Sequence, residues 1–180
     1  MNEMPVWGTR VADKIYIARC INELKRWGAP LSGWFCYKTV DVREDDDYAP
    51  LSKCDLCGCE RVRFEHHMDH DDFPFPVVVG CICAGIMEGD ILKAKERERL
   101  MRNRSKRRKK FVKKPWRQNC YGEYVRRYKN QDITVCHNGD AYSVYAGGRR
   151  IVSYKEKPIT NLLSAAYAAF DAIDPEVKCK

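Results

Sequence analysis

Between Cys54 and Ala84 the chain reads CDLCGCERVRFEHHMDHDDFPFPVVVGCICA, a stretch holding five of its ten cysteines and three of its four histidines. It opens with Cys54-x-x-Cys57-Gly58. At that spacing a tight turn can aim two thiolates at one tetrahedral ion, as in a zinc knuckle. It closes with Gly80-Cys81-Ile82-Cys83-Ala84. Buried cysteines that only fill space have no reason to pair at this spacing, so a structural Zn2+ site is expected here.

The order of elements says which thiols meet. Arg61 to His70 reads as a strand with Val62, Phe64, His66, Met68 and His70 on one face. Asp71-Asp72-Phe73-Pro74 turns the chain and Val77-Val78-Val79 returns. The return brings Cys81 and Cys83 back beside the knuckle, making Cys54, Cys57 and Cys83 the firmest ligands. The fourth is Cys81 or His66. Distance along an ideal strand, about 3.3 Å per residue, favours Cys81, and His66 would need a bulge. Cys20, Cys36, Cys59, Cys120, Cys136 and Cys179 receive no role.

A second chemistry is available at Asp69-His70. After an upstream C-x-x-C, that pair suggests an HNH nuclease, in which a histidine activates water beside a divalent cation. Such a site also takes an Asn or His from the following helix, and residues 71–102 contain neither. The expectation is no catalysis.

The residues Cys54, Cys57, Gly58, Arg63, Phe64, His66, Met68, His70, Val79, Gly80, Cys83, Ala84 and Met87 form the pattern C-x-x-C-G, R-F-x-H-x-M-x-H, V-G-x-x-C-A-x-x-M. This pattern resembles a group of small uncharacterised phage and bacterial proteins. The resemblance covers about a third of the chain and implies a metal-binding module, phage- or mobile-element-encoded. It includes His66 and His70 but not His67, which favours His66 as a ligand. The proline that follows the second histidine in that pattern is Asp71 here.

Charge divides the 180 residues into three. Residues 1–92 carry 10 Lys/Arg against 16 Asp/Glu, 93–129 carry 17 against 3, and 130–180 carry 6 against 6, within a total of +8. Such concentrated positive charge points to a polyanion. From Arg102 to Lys114 nine of thirteen residues are basic and none is acidic. That run is expected to stay in solvent as the end of a helix or as a linker. Phosphate contacts are assigned to Arg104, Lys106, Arg107, Arg108, Lys109, Lys110, Lys113 and Lys114, continuing onto the C-terminal sheet at Arg117, Arg126, Arg127, Arg149 and Arg150. Tyr124, Arg126 and Tyr128 alternate onto one strand face, where they would meet bases or pack as an ordinary half-buried sheet.

The elements that position these groups follow from periodicity. Val11 to Trp27 is a helix with a stripe of Ile17, Cys20, Ile21, Leu24 and Trp27, and residues 33–40 form a strand. The acidic run Asp41 to Asp47 is a solvated loop. After Cys83 a helix carries Ala84, Met87, Ile91, Ala94 and Met101 inward. Beyond Trp116, strands at Glu123–Tyr128, Ile133–His137, Ala141–Tyr145 and Ile151–Tyr154 surround turns at Asn138-Gly139 and Gly147-Gly148. A helix from Thr160 to Ile173 turns Leu163, Ala166, Phe170 and Ile173 inward, and its alanine-rich side allows close packing. Sheet and helix together resemble, in pattern, the plant ethylene-response type of DNA-binding domain.

The fold class is therefore α+β: a small zinc-stabilised N-terminal module (1–92), a long basic helix or linker (93–115), and a C-terminal antiparallel sheet backed by one helix (116–175). No run of about 18 apolar residues occurs and MNEMPVWGTR is not an apolar leader, so a cytoplasmic protein without membrane contact is expected. The function expected is non-catalytic binding of DNA or RNA. The alternative is an inhibitor or adaptor on a nucleic-acid-associated protein complex.

Overall fold

The computed structural model describes residues 10–176 and 179; residues 1–9, read above for a leader, lie outside them. The fold is mixed α+β with antiparallel sheets, and it divides into two compact units. One runs to Arg102 and includes Cys179; the other is Asn103–Glu176. The division falls inside the expected middle segment 93–115. No helix among the described residues is long and apolar enough to cross a membrane.

The first unit begins with α1 (Val11–Arg26). Only Cys20 and Leu24 of its expected stripe are fully buried, and Asp13 joins them, paired with Arg10 at 3.2 Å. Strands β1 (Phe35–Asp41), β2 (Phe64–His70) and β3 (Phe73–Val79) form one antiparallel sheet in that order. In β2 the residues Phe64, His66 and Met68 are buried, as period-two alternation requires. The acidic run is not wholly solvated, because Asp41 is buried at the end of β1 and accepts two hydrogen bonds from Arg63, at 2.9 and 3.0 Å.

The expected helix after Cys83 is two helices, α2 (Cys81–Glu88) and α3 (Ile91–Val112). Gly89 ends the first in the left-handed region, φ 75°. Ala84, Met87, Ala94 and Met101 are buried as the spacing predicts.

In the second unit, β4 (Arg117–Gln118), β5 (Tyr124–Tyr128), β6 (Gln131–Asn138), β7 (Ala141–Ala146) and β8 (Arg149–Ile151) make one five-stranded antiparallel meander. β9 (Ser153–Tyr154) and β10 (Lys157–Pro158) form a small hairpin before α4 (Leu162–Ile173). Asn138 pairs with Ala141, so the turn residues are Gly139 and Asp140, one step later than expected. Ile133, Val135, Val144 and Ala146 are buried together with Ala165, Ala166, Ala169 and Phe170 of α4. Alanines permit that close packing, while Leu163, expected inward, is 56% exposed.

Candidate functional site

Cys54, Cys57 and Cys83 present sulfur atoms that all lie within 4.8 Å of one another and could hold a metal ion. Thiolates around a tetrahedral ion at about 2.3 Å stand roughly 3.8 Å apart, so the trio has the right scale. The loop is built for it. Cys54 N–H donates to Cys59 O at 2.8 Å and Gly58 N–H to Cys54 O at 2.9 Å, with Gly58 at φ +71°. Asp55 pins the loop to β3, donating N–H to Val78 O at 2.9 Å and accepting from Val78 N–H at 2.6 Å.

Cys83 enters from the first turn of α2, where unpaired amides favour negative charge. Gly80 N–H points at Cys54 Sγ from 3.5 Å, and Tyr16 OH lies 3.0 Å from Cys83 Sγ. A hydrogen bond from the Cys83 thiol, aided by the amides of Cys57 and Gly80, outweighs burial and holds Cys54 at about 5. Cys83 is pushed up by its bonds to Cys20 and Cys54 and by burial.

Neither expected fourth ligand joins the trio. Cys81 and His66 stand instead with Glu98, their ligand atoms within 4.8 Å of one another. Cys81 and Cys83 are two apart on α2, about 200° around the axis, so they cannot serve one centre. The chemistry of this second group is that of a buried polar network. Arg97 donates to His66 Nδ1 at 3.3 Å and binds Glu88 at 3.0 Å, both charged side chains being 6% exposed. Ligation through Nε2 would move the ring proton to Nδ1, against the Arg97 N–H. His66 Nε2 is buried without a hydrogen-bond partner, 3.8 Å from Glu98. Burial and the Glu98 carboxylate hold the Cys81 thiol protonated, at about 12.

His70 has no free nitrogen. Its Nδ1 accepts from Asp72 N–H at 2.9 Å, which leaves Nε2–H to donate to Ser32 O at 2.9 Å. The ring braces the β2–β3 turn against residues 32–34, edge-on to Trp34. Asp69, Asp71 and Asp72 belong to no metal-sized cluster among the described residues.

The basic residues sort into two sets, and here the expectation of a solvated run is overturned. Arg104 and Arg108 are 1% and 0% exposed. Arg104 binds Asp171 at 2.5 Å and donates to Asp174 O at 2.9 Å. Arg108 binds Asp171 at 3.3 Å and the Tyr154 hydroxyl at 2.5 Å, its guanidinium 4.0 Å from the Tyr167 ring centre. Arg107 pairs with Asp174 at 2.8 Å. With Phe111 buried as well, residues 104, 108 and 111 make an inward stripe at helical spacing. The acids they need lie more than sixty residues on, in and just after α4, which is why a local count of charge missed them.

Arg126 is also internal. It donates to Phe111 O at 2.7 Å and to Lys114 O, and stacks on Phe111 and Trp116. It thereby satisfies carbonyls at the end of α3. Its strand neighbours Tyr124 and Tyr128 pack against the core, so the face expected to meet bases is the inner one.

No protein-family model, curated protein or solved structure matches this chain.

The opposite face of the sheet is open. Ladder partners share a face, and the register aligns Arg117, Val125, Thr134, Tyr145 and Arg150 in one row across all five strands. Arg117, Arg127, Tyr145 and Arg150 are exposed. Arg127 faces Asp132 at 3.6 Å, but with 68% and 84% exposure that pair is weak and replaceable. Lys106, Lys110, Lys113 and Lys114 are exposed too, with no ion pair found among the described residues. Lys109 is half-buried.

Proposed function

We propose that this chain is a non-catalytic, zinc-containing protein that binds nucleic acid through the outer face of its C-terminal sheet. The observation that carries the reading is the cross-strand row from Arg117 to Arg150, with Arg127 beside it and one exposed aromatic ring, Tyr145, within it. The row spans five strands, roughly 19 Å at about 4.8 Å per step, long enough for several consecutive phosphates. Guanidinium groups supply phosphate contacts and a tyrosine supplies a stacking surface, a combination that tolerates many sequences. Of the three exposed arginines, Arg150 also donates to the Ser143 hydroxyl at 3.0 Å and Arg127 faces Asp132 in a weak exposed pair, and all three keep solvent-facing guanidinium surface.

The Cys54, Cys57 and Cys83 cluster supports a structural zinc, since zinc favours thiolates and tetrahedral geometry. Bound there, the ion would supply folding energy and no chemistry. The engagement of both His70 nitrogens supports the absence of a water-activating base.

Fluorescence anisotropy with labelled duplex and single-stranded probes tests this reading at several salt concentrations. For the duplex, log K falls linearly with log salt, by about 0.9 for each phosphate neutralised. Both probes stay intact with added magnesium or manganese. An affinity that ignores salt, or no binding at low salt, would refute nucleic-acid recognition and leave a protein partner as the better reading.

A further inference from the structure

The geometry points to Cys20 as the fourth ligand, completing a four-cysteine centre with Cys54, Cys57 and Cys83. The inference rests on the zinc reading above and deepens it. Cys20 is 2% exposed, in the same buried cluster as Cys54 and Cys83. Tyr16, one turn before it on α1, places its hydroxyl 3.0 Å from Cys83 Sγ, and Cys20 lines the same cavity as Cys57, so this face of α1 lies against the cluster. The trio alone is one ligand short of the four that closed structural zinc sites use.

No other side chain serves as well. Cys81 and His66 are committed to Glu98 and Arg97, and Cys59 is exposed. Tyr16 is the one competitor. It precedes Cys20 by one turn of α1, and its hydroxyl contacts both Cys83 and Cys57. A phenol hydroxyl 3.0 Å from Cys83 Sγ is placed to donate to that sulfur as an outer partner that steadies a thiolate. The centre thus joins three separate pieces of chain: α1 through Cys20, the knuckle loop through Cys54 and Cys57, and α2 through Cys83. Its consequence is structural. The ion anchors the first helix, which a site confined to residues 54–83 would not do.

X-ray absorption at the zinc edge of the purified full chain reads the ligand set directly. Four sulfurs at about 2.3 Å are expected. Three sulfurs with one nitrogen or oxygen at about 2.0–2.1 Å would overturn the role of Cys20 while leaving the zinc in place. Protein without zinc by elemental analysis would instead sink the zinc reading itself. A Cys20→His variant keeps a donor at this position, so it should retain the metal and shift to three sulfurs and one nitrogen. If its absorption spectrum matches that of the parent, Cys20 is not a ligand. Tyr16→Phe should keep all four sulfurs, and loss of an oxygen ligand in that variant would transfer the role to Tyr16.

Discussion

Arg108 sits within the sequence SKRRKK and yet has no exposed surface. A guanidinium can be buried only where its donors are met, and Asp171, the Tyr154 hydroxyl and the Tyr167 ring meet it. Arg108→Gln leaves Asp171 and Tyr154 short of a partner, and should lower the unfolding free energy by about 3 kcal/mol. Lys110→Gln on the exposed side of the same helix should change it by under about 0.5 kcal/mol. Urea unfolding of both variants checks the contrast, and equal effects would refute the division of the run into inward and outward residues. Asp174 gives a pH signature. Burial opposes its ionisation, but hydrogen bonds from Arg107 and Lys129 overcome this and hold it at about 2. A carboxyl depressed by folding stabilises the protein above its unfolded value near 3.9. That contribution, about 2 kcal/mol, is lost as pH falls from about 4 to 2. Asp174→Asn should flatten the acid limb of a melting-temperature profile, and an unchanged limb would assign it to other groups.

Among the elements, α2 and α3 show what a sequence pattern reveals and what it hides. The inward positions Ala84, Met87, Ala94 and Met101 were legible as one stripe, because three-and-four spacing survives a short break. The break itself was hidden, since Gly89 reads equally as a weak helical residue or a left-handed cap. Close contact after the break depends on Gly85, where an added Cβ would stand 2.5 Å from Ile91 Cα and 2.9 Å from its Cγ1. Gly85→Ala must push the two helices apart, and a cost of about 1–3 kcal/mol in urea unfolding is expected. A neutral substitution would show that the contact is looser than described. The strand β5 shows the opposite failure. Its alternation was clear, but alternation does not say which phase faces inward. Tyr124, Arg126 and Tyr128 took the inner face because Phe111, Trp116 and the last carbonyls of α3 lie there for them to meet. The trio Cys54, Cys57 and Cys83 was legible from local spacing and strand return. Cys20 was not, because it lies 34 residues before the knuckle with no local spacing to mark it.

For the whole molecule, part of the positive charge between residues 93 and 129 is taken up by acids. Glu88 meets Arg97, while Asp171 and Asp174 meet Arg104, Arg107 and Arg108. The net charge of a segment therefore overstates what reaches a partner. Among the groups that remain outward are the row on the C-terminal sheet and the exposed lysines at 106, 110, 113 and 114. These two groups make different predictions. The lysines project from a helix end without an organised neighbour, whereas Arg117, Arg127 and Arg150 share one face of a five-stranded sheet. The decisive measurement compares duplex affinity and salt slope for the parent, for Arg117→Gln/Arg127→Gln/Arg150→Gln, and for the four-lysine glutamine variant, with melting curves confirming that each is folded. The sheet variant should lose at least about tenfold in affinity and flatten the slope by up to about 2.7, at 0.9 per lost contact, more than the lysine variant does. A folded sheet variant that binds like its parent, with the parent's salt slope, would contradict nucleic-acid recognition by this face.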